Sequence, residues 1–380
     1  MTNRRQFLQT ALGAAGLLGW TAATAGRAQG AIHSNTIATS AQANVTSQVT
    51  RAPKPLKILF LGGTGFIGPH EIEYALARGH EVTMFNRGSK AGLYGDRVEE
   101  IVGNRDAQID DGLKGLEGDR TWDVIVDNSG YVPRHVRDSV ALLKERTSRY
   151  IYVSTVAVYD FDAAHEFAED GPLAKLDDPA VEEVTGATYG PLKAECDRIV
   201  RRELGDRSTV VRPAYIIGPG DTTDRFTYWV DRIHQGGDVV GPPNREVSVQ
   251  FVDVRDLCPW IIGLGENDTP GTFNAAAAPW TRAGLLWGIR ATTTEAVRFH
   301  WPTAELAAEL EMPVPMLNWG EVSNSFANAA SLGAGQVYRP LAESALGTLQ
   351  WWRGQSQERR DGARGWPAEG LEAKLLERLG

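Results

Sequence analysis

From residue 56 onward, short apolar runs alternate with longer stretches of helical spacing. Leu56–Leu61 is rich in strand formers and predicts a buried strand. Glycines follow it. Glu71–Arg78 then carries helical spacing and stops at Gly79, a predicted C-cap. Glu81–Phe85 predicts a second strand, and Ile101–Asp106 a third that ends in a polar cluster. Trp122–Val126 predicts a fourth strand and Arg149–Ser154 a fifth. Tyr189–Leu204 predicts a helix, and Glu372–Leu379 a short final one.

The first 55 residues do not share this pattern. They contain no Asp or Glu, yet carry Arg4, Arg5, Arg27, Arg51 and Lys54. Arg4 and Arg5 precede Phe7 and Leu8, then a weakly apolar run to about Ala25, then the small residues Gly26, Ala28 and Gly30. Residues 1–30 read as a twin-arginine export signal, cut near Ala28 or Gly30. That predicts an exported, periplasmic or extracytoplasmic protein, with the twin-arginine translocation machinery as a partner. The alternative is a cytoplasmic protein with a basic amphipathic start. The run is too polar for a stable membrane helix, and no cysteine near the boundary offers lipid attachment. Residues 31–55 are rich in Ser, Thr, Asn and Gln, and read as a flexible linker.

The glycine segment has a chemical use. Gly62, Gly63, Thr64, Gly65, Phe66, Ile67 and Gly68 stand between a strand and a helix, with a second strand beyond. Glycines allow a tight turn and close approach of backbone to a pyrophosphate. The helix N-terminus then offers free N–H groups and partial positive charge to the phosphates. In that context the segment predicts a dinucleotide cradle. The second strand ends in Asn86 and Arg87, where an NAD site usually places an acid on the ribose 2′-hydroxyl. Arg87 suits a 2′-phosphate, so NADP is favoured slightly over NAD. Asp106 is a candidate partner of the adenine amino group. Asn128, in the Asp127–Tyr131 corner, suits a ribose.

The fifth strand ends in Ser154 and Thr155, and Tyr189 and Lys193 are four apart on the predicted helix. A phenol with a pKa near 10 is a poor base at pH 7. A nearby ammonium and a nicotinium ring can stabilise its phenolate. Such a base removes a hydroxyl proton while hydride leaves the same carbon. Tyr189, Lys193, Thr155 and Ser154 are therefore the candidate catalytic residues.

Together these segments resemble the short-chain dehydrogenase/reductase superfamily, in its extended NAD-dependent epimerase/dehydratase branch. The resemblance covers about residues 56–275. It rests on Gly62–Gly68, Ser154–Tyr159, Tyr189–Lys193, Val211–Gly220 and Phe251–Leu257. It implies an α/β fold, a Rossmann-like doubly wound parallel sheet with a smaller C-terminal substrate lobe. The expected domains are an NAD(P)-binding unit over 56–215 and a substrate lobe over 216–380, with segments returning to the first. The resemblance also implies Tyr189 as base, Lys193 on the nicotinamide ribose and Thr155 as hydroxyl partner, ahead of Ser154. Two departures stand out. Val249 falls where sugar-nucleotide epimerases place a diphosphate-binding Arg, and Asn86–Arg87 replaces the usual acid. These bring the chain closer to atypical members of the branch and to chloroplast RNA-associated relatives.

Composition narrows the function further. The 380 residues carry 39 Lys plus Arg against 48 Asp plus Glu. Beyond residue 55 the balance is 34 against 48, a net of −14, which argues against a nucleic-acid partner. Cys196 and Cys258 are too few for a disulfide framework, and are expected to pack as separate thiols. No metal-ligand spacing is present. Nine of the 11 tryptophans lie at or beyond Trp229, and core packing is favoured for them over a saccharide surface. The leading expectation is a redox-neutral epimerase or dehydratase acting on a sugar or related polyol, with the dinucleotide retained. A net sugar or alcohol oxidoreductase and a non-catalytic polysaccharide- or RNA-binding relative are the alternatives. Oligomeric state is left open, a homodimer included.

Overall fold

The computed structural model describes residues 49–312, 316–317 and 322–379. The export signal expected over 1–30, residues 31–48 of the linker expected over 31–55, and Trp319 lie outside the described residues. The last part of the expected linker is not free. Ala52 N donates to Arg78 O at 2.8 Å, and the Arg78 guanidinium donates to Thr50 O.

Seven strands form one sheet: β1 (Lys57–Leu61), β2 (Glu81–Asn86), β3 (Glu99–Val102), β4 (Trp122–Asp127), β5 (Thr147–Val153), β6 (Ser208–Pro213) and β7 (Gly271–Ala275). Their order is β7-β6-β5-β4-β1-β2-β3, and every neighbouring pair is parallel. Parallel strands are covered on both faces, so they read as near-continuous apolar runs. Alternation then splits each strand between two cores. Ile58, Phe60, Ile151 and Val153 face one core, and Leu59, Leu61, Tyr150 and Tyr152 face the other.

The first core is covered by α1 (Ile67–Arg78), and the second by α2 (Pro133–Leu143) and α3 (Tyr189–Leu204). A third cluster is built from α4 (Arg225–His234), α6 (Arg282–Arg290) and α7 (Leu341–Arg353) around Trp229. Between them, α5 (Val254–Glu266) packs on the first core beside α1. The chain order strand–helix–strand, reversing beside β1, makes this a Rossmann-like doubly wound sheet.

Two boundaries differ from the sequence expectation. The first helix begins at Ile67 rather than Glu71, because Gly68 and Pro69 sit inside its first turn, where proline is tolerated. The third strand ends at Val102, not Asp106. Gly103 lies so close to Phe85 that a Cβ there would stand 2.5 Å from the ring, and Asn104 N turns to Gly112 O at 2.9 Å. Cys196 and Cys258 are both buried free thiols, as expected. Trp229 and Trp352 are buried, whereas Trp287 is exposed.

Candidate active site

The switch point lies where β1 has β2 on one side and β4 on the other, and ligands in open α/β sheets bind outside the strand ends there. Just past β1, Gly62 has φ 104° and Gly63 φ 118°, a region that glycine enters without strain. A Cβ on Gly68 would fall 2.4 Å from Gly63 Cα, so the helix can press on the turn only with glycine at both places. Gly65 is exposed, and a Cβ there would meet nothing within 4 Å. Thr64, Phe66 and Ile67 are half-buried around it. Phe66 caps α1 without any side-chain hydrogen bond, and no acid stands in the first turn. The first N–H groups of a twelve-residue helix are thus left to an external anion. Gly62–Gly68 fit a dinucleotide pyrophosphate.

The β2 end behaves differently from its sequence reading. Asn86 donates its amide to Glu100 at 2.8 Å and accepts from Gly88 N at 2.5 Å. An acid therefore does stand near this end, brought in by β3, but its second oxygen accepts from Gly92 N at 3.1 Å. Arg87 is exposed. Asp106 is not available to an adenine in this arrangement. Both its oxygens accept from Arg134, at 2.7 and 3.0 Å, and that guanidinium holds its carboxyl well below the usual range. Asn128 follows β4, with its backbone N–H on Leu61 O at 3.0 Å and its side-chain amide on Glu71.

The catalytic candidates converge beyond β5. Tyr189 and Lys193 share the inward face of α3, and both are buried. Gly190 makes this approach possible, since a Cβ there would stand 2.3 Å from Ala157 O. The Thr155 hydroxyl faces the Tyr189 phenol, favouring its ionised form, and accepts from Ala157 N at 3.2 Å. Ser154 lies deeper, its Oγ buried without a hydrogen-bond partner. Of the two hydroxyls, Thr155 is the one that meets the phenol.

Lys193 does not act as expected on that phenol. Its Nζ donates to Gly130 O and Val153 O, both at 2.8 Å, and sits 4.2 Å from the centre of the Tyr152 ring. Burial lowers its pKa to about 8. Burial raises Tyr189, with Tyr131 adding to the effect; the Thr155 hydroxyl and the Arg225 charge oppose it. So raised, Tyr189 is a protonated phenol at neutral pH.

Three residues near the site had no signal strong enough to select them. Tyr131 lies 6.3 Å from Tyr189, ring to ring, and 5.1 Å from Lys193 Nζ; its place in the strand-end corner was the available hint. Arg225 opens α4 and stacks 5.1 Å from the Tyr215 ring, with no local motif to mark it. Glu71 is fully buried on α1. Among the described residues, no group of His, Cys, Asp or Glu is arranged to hold a metal ion, and no helix is long and apolar enough to cross a membrane.

Comparison with known proteins agrees with this geometry. The model of the NAD dependent epimerase/dehydratase family matches residues 58–276. A curated relative, the chloroplast stem-loop binding protein of 41 kDa b of Arabidopsis thaliana, is 25% identical over 229 residues. That match spans 56% of this chain and 56% of the relative, so the chain covers little more than half of the relative's length. Among solved structures, the Bordetella bronchiseptica enzyme WbmG in complex with NAD superposes with a TM-score of 0.59 at 16% identity, covering 83% of this chain and 97% of that one. A second WbmG structure holds NAD and UDP. UDP-glucuronic acid 4-epimerase from Bacillus cereus, in complex with NAD, gives 0.59 at 14% identity, covering 79% and 99%. At such identities the likeness establishes the shared fold.

Proposed function

The chain belongs to the NAD-dependent epimerase/dehydratase family, and from that premise we propose that it carries out a redox-neutral change at a hydroxyl-bearing carbon of a carbohydrate-like substrate. One observation carries this reading: the Tyr189 phenol lies beside Tyr131, 6.3 Å ring to ring, in the same segment after β4 whose Asn128 and Ser129 border Gly62 of the glycine turn. A bound NAD or NADP would supply the hydride acceptor and donor. Gly62, Gly63, Thr64, Gly65, Phe66, Ile67 and Gly68 would hold its pyrophosphate on the N-terminus of α1. Asn128 and Lys193 would face its riboses, and Asn86 and Arg87 its adenosine end. Arg87 supports NADP over NAD, because a guanidinium suits a 2′-phosphate.

Tyr189 moves the substrate proton, and Thr155 orients the substrate oxygen against it. Positive charge at the nicotinamide position would draw the phenol down from its raised value, so the phenol becomes a base only in the loaded site. The substrate reading stays at a sugar or related polyol. Val249 is buried and paired with Trp280, so this position offers no cation to a diphosphate, and Arg245 is exposed beside Glu246. The acidic charge of the folded region supports a small-molecule partner over a nucleic acid.

The proposal includes export through the twin-arginine machinery to an extracytoplasmic site. A folded passenger leaves with its dinucleotide already loaded, and a redox-neutral cycle needs no external pool to regenerate it. The test is to purify the mature protein, pass it through gel filtration, and identify released small molecules by mass spectrometry. Near-stoichiometric NAD or NADP supports the reading. Dinucleotide lost on simple dilution, with net oxidised product from a single substrate, would sink the redox-neutral cycle in favour of an oxidoreductase. Replacing Arg4 and Arg5 together by Lys is expected to leave precursor in the cytoplasm; unchanged export would remove the signal assignment.

A further inference from the structure

Beneath the glycine cradle, one hydrogen bond leaves two oxygens stranded. Glu71 is 0% exposed on the inward face of α1, one turn past Gly68. Its Oε2 accepts from Asn128 Nδ2 at 2.5 Å. Its other oxygen, Oε1, has no partner, and neither has Asn128 Oδ1. The orphaned atoms therefore belong to the same two side chains that the single bond already joins. A carboxylate can only accept, so it leaves both oxygens unpaired; a protonated carboxyl also donates. An unpaired buried acceptor is unfavourable, and an unpaired buried charge more so.

We propose that Glu71 is a neutral carboxylic acid whose Oε1 proton is donated to Asn128 Oδ1, closing a two-bond acid–amide pair that positions the floor of the dinucleotide cradle. The pair spans the switch point. Asn128 follows β4, its backbone N–H bonds to the last residue of β1, and its Cβ would stand 3.5 Å from a Cβ on Gly62. Glu71 reaches it from the helix whose N-terminus meets the phosphates. The pair thus ties α1 to the end of β4 across the glycine turn of β1. Glu71 touches no reacting atom in this scheme; it is a positioning residue, and its role rests on the dinucleotide reading above.

The surroundings keep the acid neutral. Burial raises Glu71 to about 8, and the Asn128 bond only partly opposes this. The titratable groups facing it are the Tyr94 phenol, which donates to Gly63 O at 2.9 Å, and the Cys258 thiol of α5. Both are pushed up by burial, so both stay uncharged where Glu71 titrates. Loss of its proton leaves Oε1 and Asn128 Oδ1 as two acceptors with no proton between them, so the second bond of the pair is lost.

The proton is read first, in wild-type protein labelled with 13C-glutamate, by infrared titration from about pH 6 to about pH 10. The expected result is a buried protonated carboxyl band that is lost with a midpoint at about 8 and is absent from Glu71→Gln. No such band near neutral pH would overturn the assignment without need of any variant. The positioning role is read by titrating NADH and NADPH into dinucleotide-depleted protein. If binding requires the protonated pair, the apparent Kd rises about tenfold between pH 7 and pH 9. Glu71→Gln, whose amide keeps both bonds at either pH, is expected to bind without that dependence. A wild-type Kd that is flat across the titration, or a Glu71→Gln profile that copies the wild type, overturns the role. Absence of binding at both pH values overturns the role and the dinucleotide reading together, while the infrared band still decides the proton.

Discussion

Lys193 stands one helical turn beyond Tyr189 on α3, yet its ammonium is fixed to the Gly130 and Val153 carbonyls at 2.8 Å, while the phenol faces Thr155. The two side chains thus have separate structural duties. Lys193 ties the segment after β4, at Gly130, to the end of β5, at Val153. Tyr189 is tuned by its burial, by Thr155 and by Arg225.

That division predicts different failures. Tyr189→Phe removes the proton carrier and leaves the cradle intact. Turnover is expected to fall about 10²–10⁴-fold, the usual contribution of a positioned acid–base group, with dinucleotide content unchanged. Steady-state rates and the absorbance of released cofactor check both halves. Undiminished turnover would take Tyr189 out of the mechanism.

Buried titrating groups predict the shape of stability against pH. Glu71 ordinarily titrates at 4.5 and in the fold at about 8. Between those values the folded state holds a proton that the unfolded chain has lost. Its contribution therefore falls as pH rises, by about 1.4 kcal/mol per unit. Lys193 is lowered from 10.5 to about 8. Between about 8 and 10.5 the unfolded chain holds the extra proton, so this contribution rises with pH. Urea midpoints measured at about pH 5, 8 and 10 should show Glu71→Gln flattening only the acid-side limb. An acid-side limb as steep as the wild type's would show that Glu71 titrates normally.

The dinucleotide half was legible in the sequence because its signals are local. Apolar runs mark β1, β2, β4 and β5, and the glycines between Leu61 and Pro69 allow the turn where they stand. Gly79, expected to cap α1, does so at φ 89°. What escaped was set by distant partners. Asp106 looked available until Arg134, 28 residues away, took both its oxygens. Glu100 became the acid near Asn86 only when β3 paired with β2. The tryptophans divide by packing that no local pattern encodes: Trp229 is fully buried in the cluster of α4, α6 and α7, and Trp287 is half exposed against Phe299.

Arg87 is exposed at the β2 end, free to meet a 2′-phosphate without rearranging the sheet. Arg87→Ala is expected to weaken NADP about tenfold or more, the scale of a charge-assisted hydrogen bond, and to leave NAD within about twofold. Paired Kd measurements decide this. Equal losses for the two dinucleotides would end the case for an NADP preference.

α3 is also anchored from behind. Arg212 of β6 and Asp197 of α3 are both fully buried, with Nε 2.9 Å from Oδ2. Arg212→Met leaves a buried carboxylate without its guanidinium and is expected to cost about 3–5 kcal/mol. Adding Asp197→Leu removes the stranded charge and should recover much of that loss. Denaturant midpoints of the single and double variants test the coupling. Simple additivity would mean that the ion pair does not anchor the helix carrying Tyr189.

Gly68→Ala tests whether the cradle is shaped as its glycines require. Its new Cβ would lie 2.4 Å from Gly63 Cα and 2.5 Å from Gly63 C and O, all backbone atoms that cannot rotate aside. Either α1 lifts from the turn or the turn itself shifts, and both movements displace the N–H groups that face the phosphates. The strain is expected to cost about 1–3 kcal/mol, as overpacking does. Gly65→Ala is the control, because its Cβ would enter open space within the same segment. The variant at 68 is expected to lose dinucleotide and to melt earlier, while the variant at 65 melts normally and differs only in binding. Thermal unfolding with and without added NADPH separates the two. A Gly68→Ala protein of normal stability and full dinucleotide content would mean that α1 does not press on the turn.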